Sequence, residues 1–195
     1  MAEPEAFDEF VLSIARETWE LFRREPVLFI LASLVVTLVS VFSLGLIAGP
    51  VSAGYVEMVR RGRRGEPLAM GLIFSRFDTF IPSAVAFVIL GIALVIGAFL
   101  LVLPALLVAL FSAFTLHVIT YENVGGIAAI QRSIAIVREN FIHVLALVLM
   151  IALAHAVGGI VVFGVLLTAP LSLIALTIGY ERLAGAVVVP EQLAI

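Results

Sequence analysis

The sequence predicts an all-α membrane protein with six transmembrane helices. They form three Gly–Pro hairpins, each preceded by an amphipathic interfacial helix. Three observations predict this class. The residues are 63% hydrophobic and only 13% charged, with a mean hydropathy of +1.25, whereas a soluble domain is roughly half apolar and about a quarter charged. Three long stretches, Pro26–Val56, Thr79–Tyr121 and Asn140–Tyr180, contain no Asp, Glu, Lys or Arg. Every formal side-chain charge lies before, between or after those stretches.

The stretches are 31, 43 and 41 residues long, and one crossing of a ~30 Å hydrocarbon core takes about 20 helical residues. The second and third are therefore long enough for two crossings each. The first is decided by charge. All 11 basic residues are arginines, and if each stretch is a hairpin they share one face, which the positive-inside bias makes cytoplasmic. A single crossing would put Arg16, Arg23 and Arg24 opposite the other eight. Six spans with both termini inside is the expectation, and five spans the fallback. The chain is expected to be one integral membrane domain, residues 1–195, with an amphipathic N-terminal helix over 1–25 and hairpins over 26–62, 79–121 and 140–189.

Each stretch carries Gly and Pro near its middle, in GLIAGP (45–50), GAFLLVLP (97–104) and GVLLTAP (164–170). Proline ends or starts helices because it lacks an N–H and clashes with the preceding turn, so these elements are expected at the hairpin tips. The segments between hairpins are amphipathic. Phe7, Phe10, Val11, Ile14 and Leu21 recur at helical spacing in the first. Met70, Ile73, Phe74, Phe77 and Ile81 do so in the second, and Ile127, Ile130, Ile134, Val137 and Phe141 in the third. Such stripes fit either the acyl boundary of a bilayer or the protein's own helices. Tyr55 with Glu57, Tyr121 with Glu122 and Tyr180 with Glu181 repeat on the three returning legs.

The order of features in ITYENVGGIAAIQRSIAIVRENFIHVLALVL (119–148) and LLTAPLSLIALTIGYERLAG (166–185) resembles a broad group of uncharacterised prokaryotic multi-pass proteins. That group includes the membrane domain fused to some glycerophosphodiester phosphodiesterases. The corresponding positions here are Pro104, Glu122, Gly126, Arg132, Ser133, Asn140 and Pro170. The resemblance implies a fold and a prokaryotic cell (inner) membrane location, and it carries no catalytic residue.

Candidate chemistry is sparse. His155 lies near the middle of a span, where an ionisable side chain is a functional candidate by default. Packing beside a Ser or Thr is its plainer role. His117 and His143 sit near cytoplasmic ends and leave a haem or metal site conceivable, but no cofactor is expected. Glu57 is the acidic residue nearest hydrocarbon depth, and such carboxylates mark ion pathways, although Arg60 is three residues away. Ser33, Thr37 and Ser40 (continued by Ser43) form a hydroxyl stripe on the first span, suited to helix contact or to a conduit lining. Arg60, Arg61, Arg63 and Arg64 make the densest basic cluster, able to attract anionic lipid headgroups. There is no cysteine, no Walker loop, no HExxH and no nucleophile elbow, so no enzyme is expected. A net charge of −3 gives no reason to expect nucleic acid. The expectation is a membrane scaffold or accessory subunit that binds lipids, other membrane proteins or copies of itself at its cytoplasmic face. The alternative is a small transporter or channel subunit using Glu57, His155 and the hydroxyl stripe.

Overall fold

A computed structural model describes residues 7–43, 45, 47–100, 102–160 and 164–185, and these are predominantly helical with no strand. The α-helices are α1 (Phe7–Arg24), α2 (Pro26–Phe42), α3 (Ala48–Arg63), α4 (Phe80–Leu100) and α5 (Val102–Phe111), followed by α6 (Thr115–Glu122), α7 (Gly126–Glu139), α8 (Phe141–Ile160) and α9 (Gly164–Leu183). Consecutive partners pack together: α2 on α3, α4 on α5, and α8 on α9. Among the described residues, four helical stretches are long and apolar enough to cross a membrane: Met70–Leu100, Leu103–Glu122, Phe141–Gly159 and Leu166–Leu183. A fifth arises if α1 and α2, bent by 98° at Glu25–Pro26, count as one broken span.

The centre of the molecule is α3. Gly49, Val51, Ala53, Tyr55, Val56, Met58 and Val59 are all buried, and the helix touches α2, α4, α6 and α9. At 16 residues it is shorter than the ~20 that a lipid-facing crossing needs. Its neighbours, not lipid, surround it. By contrast, Ile92, Val95, Ile96 and Phe99 of α4 and Leu149, Leu153 and Val157 of α8 are exposed. Apolar surface on that scale needs an apolar solvent or a partner.

Several local expectations change. The segment before α4 is not a continuous amphipathic helix but two 3₁₀ turns, Met70–Phe74 and Phe77–Thr79. Ser75 Oγ bonds back to the Leu72 carbonyl (2.7 Å) and Thr79 Oγ1 to the Arg76 carbonyl (2.7 Å), local bonds that compete with an α-helical ladder. Pro50 and Pro104 each stand third in their helices, α3 and α5, where the amide they lack has no intrahelical partner to lose. Pro170 does not mark a tip. It is the seventh residue of α9, and the helix runs through it. The part of the third hairpin assigned to residues 186–189 lies outside the described residues.

The first stripe packs on the protein's own helices, whereas the third departs from expectation. In α1, Phe10, Ile14 and Leu21 are buried and the helix packs on α8 and α9, while Leu12 and Trp19 remain exposed. In α7 the packed face is Gly126, Ala129, Ser133, Ile136 and Val137, which shares only Val137 with the expected stripe. The reason is proximity: a Cβ on Gly126 would stand 2.3 Å from the Pro82 carbonyl oxygen of α4, so small residues must face that helix. Ile127 is exposed in consequence, while Ile130 and Ile134 are half-buried.

Candidate functional site

Three helix ends converge beside α1. The C-terminal portions of α3, α6 and α9 carry Glu57, Arg60, Arg61 and Arg63, with Arg64 just beyond, then Tyr121 and Glu122, and Tyr180 to Arg182, and α3 packs on both α6 and α9. The arginines at the end of α3 also suit the negative pole of its macrodipole.

Glu181 is the most buried carboxylate among the described residues, at 3% exposed. It accepts hydrogen bonds from the Tyr121 hydroxyl and from the Arg63 guanidinium. Arg63 also reaches Glu17 at 3.2 Å. Arg182 donates to Glu17 and to Ser13 Oγ. The Tyr180 hydroxyl donates to Glu122 (3.1 Å), which also pairs with Arg132 at 3.4 Å. Glu57 faces Arg60 (3.4 Å), Arg61 (3.3 Å) and Arg76 (3.8 Å). Arg76 additionally donates to the Thr120 carbonyl (2.8 Å) and to Asn123 Oδ1 (2.7 Å), tying the 3₁₀ segment to the end of α6.

Aromatic rings line the inner side of this network. The Arg60 guanidinium lies 4.9 Å from the Tyr121 ring centroid, a cation–π arrangement. Tyr121, Tyr180 and His117 continue inward with centroids 5.1 and 5.6 Å apart. Phe114 closes the stack against Tyr180 at 5.7 Å. A cleft of about 190 Å³ opens beside the network, lined by Glu17, Glu20, Leu21, Arg24, Arg63 and Ile178.

The structure brings Glu57 and the arginine cluster together and leaves the other sequence candidates apart. Arg60 and Arg61 pair with Glu57, Arg61 and Arg64 approach Glu66 at 3.8 Å, and Arg63 turns inward. Ser33, Thr37 and Ser40 each donate to a carbonyl of their own helix at 2.7–2.9 Å. His155 is exposed on α8, with Nδ1 3.0 Å from the Ile151 carbonyl and 3.3 Å from Ser172 Oγ. A carbonyl only accepts, so Nδ1 carries the hydrogen. His117 Nε2 lies 3.3 Å from Thr177 Oγ1, and the His143 ring meets Phe10 edge-on at 4.9 Å. Among the described residues no three His, Asp or Glu side chains are placed to hold a metal ion.

Sequence reasoning named Glu181 only in the Tyr–Glu recurrence and Ser133 only through the family resemblance, and it gave Arg76 no role. The available signal was the recurrence of Tyr with Glu one or two residues on, which marks Glu57, Glu122 and Glu181 but not Glu17. Ser133 holds a break in the second return leg: its hydroxyl donates to the Phe111 carbonyl (2.8 Å) and accepts from the Phe114 amide (3.3 Å). A side chain inserted into the ladder is a recognised cause of such a break.

No curated protein matches this chain, and no solved structure does. Residues 67–194, about two thirds of the chain, match a family described as a domain of unknown function, DUF7847. That range begins after α3, so the first hairpin lies outside it while its second leg fills the centre of the fold. On the extent of that match, the chain belongs to the DUF7847 family.

Proposed function

We propose that this chain is a non-catalytic scaffold or accessory subunit of the prokaryotic inner membrane. It crosses six times as three hairpins, keeps both termini in the cytoplasm, and docks membrane proteins, lipids or copies of itself at its cytoplasmic face. The observation that carries this reading is the interlocking of charge at one end: Glu181, Glu17, Glu122 and Glu57 are each matched by arginines from other turns or helices. A rigid, closed charged end suits a platform better than a moving gate. The central position of α3 supports a full first hairpin, because a helix shielded by protein need not match the thickness of lipid.

The transporter reading needs Glu57, His155 and the hydroxyl stripe to share a path. The three guanidiniums around Glu57 and the backbone bonds of Ser33, Thr37 and Ser40 weigh against it.

A native pull-down from mild detergent, with mass spectrometry of proteins and lipids, tests the scaffold reading. A stoichiometric partner or homo-oligomer is expected, with no solute flux in liposomes. Flux that vanishes in Glu57→Gln or His155→Ala would replace it with the transporter reading. Cysteine labelling near residues 48, 102 and 168 tests the topology. Labelling of any of them from the cytosol would overturn the three-hairpin arrangement.

A further inference from the structure

We propose that the groove between α4, α5 and α7 binds an anionic phospholipid, with one acyl chain in the groove and the phosphate on Arg138. The groove holds about 390 Å³ and is walled by Ile89, Ala93, Leu107, Phe111, Ile130 and Ile134, with Arg138 as its one charged lining residue. Ile130, Ile134 and Arg138 follow one another at four-residue steps, so they share one face of α7, flanking the small residues that pack on α4.

Charge decides the occupant. Arg60, Arg61, Arg63 and Arg64 each have a carboxylate within 4 Å inside the protein. Arg138 is exposed, and among the described residues no carboxylate lies within salt-bridge distance of it. Each arginine of the sequence's densest basic cluster thus already has a carboxylate beside it, while the Arg138 guanidinium caps an apolar trough. Along α7 the lining runs from Ile130 to Arg138, about 12 Å at the rise of an α-helix. That length suits the upper part of a hydrocarbon chain entering from the headgroup level. A guanidinium pairs well with phosphate oxygens, and a net-neutral headgroup offers it less than an anionic one.

The site rests on the reading of the chain as a membrane platform with α7 at the bilayer surface. Lost partner capture with lipid retention intact would fault the platform alone. Unchanged lipid retention in the groove variants would fault the site alone. The test is native mass spectrometry of the full chain released from nanodiscs of equal phosphatidylglycerol and phosphatidylcholine. The wild type should retain phosphatidylglycerol preferentially. Arg138→Gln should lower that retention about five-fold, the scale of one arginine at an anionic surface, and Arg138→Lys should keep most of it. Ala93→Phe, which fills the trough, should lower retention of both lipids, whereas Arg16→Gln, exposed on α1, should change neither. Retention unaltered in both Arg138→Gln and Ala93→Phe overturns the proposal. So does an equal loss in Arg16→Gln, which would mean a diffuse surface field, or a dimer that Ala93→Phe converts to monomer with lipid unchanged, which would make a second copy the occupant.

Discussion

Tyr180 on α9 donates its phenolic hydrogen bond to Glu122 on α6 at 3.1 Å, while Tyr121 on α6 donates to Glu181 on α9. The two Tyr-Glu dipeptides therefore exchange partners, and each hydroxyl satisfies a carboxylate that its own neighbour in sequence does not. The exchange clamps the ends of two return legs. Tyr180→Phe is expected to cost about 1–2 kcal/mol, since bonds to charged acceptors are worth ~1.5–3 and those within membranes average less. In a double-mutant cycle with Glu122→Gln, measured by thermal unfolding in mild detergent, the two losses should fall short of additive. Additive losses would mean that the pair is not coupled.

Arg63 holds the most buried of these carboxylates. Arg63→Met leaves Glu181 with a tyrosine hydroxyl but no contacting cation, and removal of one partner from a buried pair costs about 3–5 kcal/mol. Adding Glu181→Gln should recover much of that loss, because the uncompensated charge is then gone. A double variant no more stable than Arg63→Met would contradict the assignment.

The closest approach to α3 is made by the first 3₁₀ turn. A Cβ on Gly54 would lie 2.0 Å from the Ile73 carbonyl oxygen, whereas one on Gly71 meets nothing within 4 Å. Gly54→Ala should destabilise by about 3 kcal/mol, at the upper end of overpacking costs, and sharply reduce the yield of folded protein. Gly71→Ala should be nearly silent. Size-exclusion profiles and unfolding midpoints compare the pair directly.

Ser133 sustains the junction between α5 and α6. Ser133→Ala deprives the buried Phe114 amide of its acceptor, at a cost of about 1–3 kcal/mol. Amide hydrogen exchange should rise first at residues 112–115. Exchange unchanged there would show that the break holds without the serine.

Legibility in the sequence followed the range of the interaction. The helical class and the apolar stretches could be read locally, since the transfer cost of a charge acts on each residue independently of its partners. The α7 stripe misled for a similar reason: periodicity finds large apolar residues, but Pro82 approaches so closely that only Gly126 and its small neighbours fit there. At Pro170 a local breaker rule gave way, as it does where neighbouring helices support the freed backbone.

The amino-acid sequence alone determined the all-helical class, the placement of charge outside three apolar stretches, and the recurrence of Tyr beside Glu, because solvation and helical period are written residue by residue. Only the tertiary structure decided that the short α3 would be the buried centre, that Arg63 would turn inward to Glu181, and that Arg138 would be left to face outward. Those outcomes depend on partners such as Arg63 and Glu181, 118 residues apart, and no local pattern encodes which distant carboxylate a guanidinium will meet.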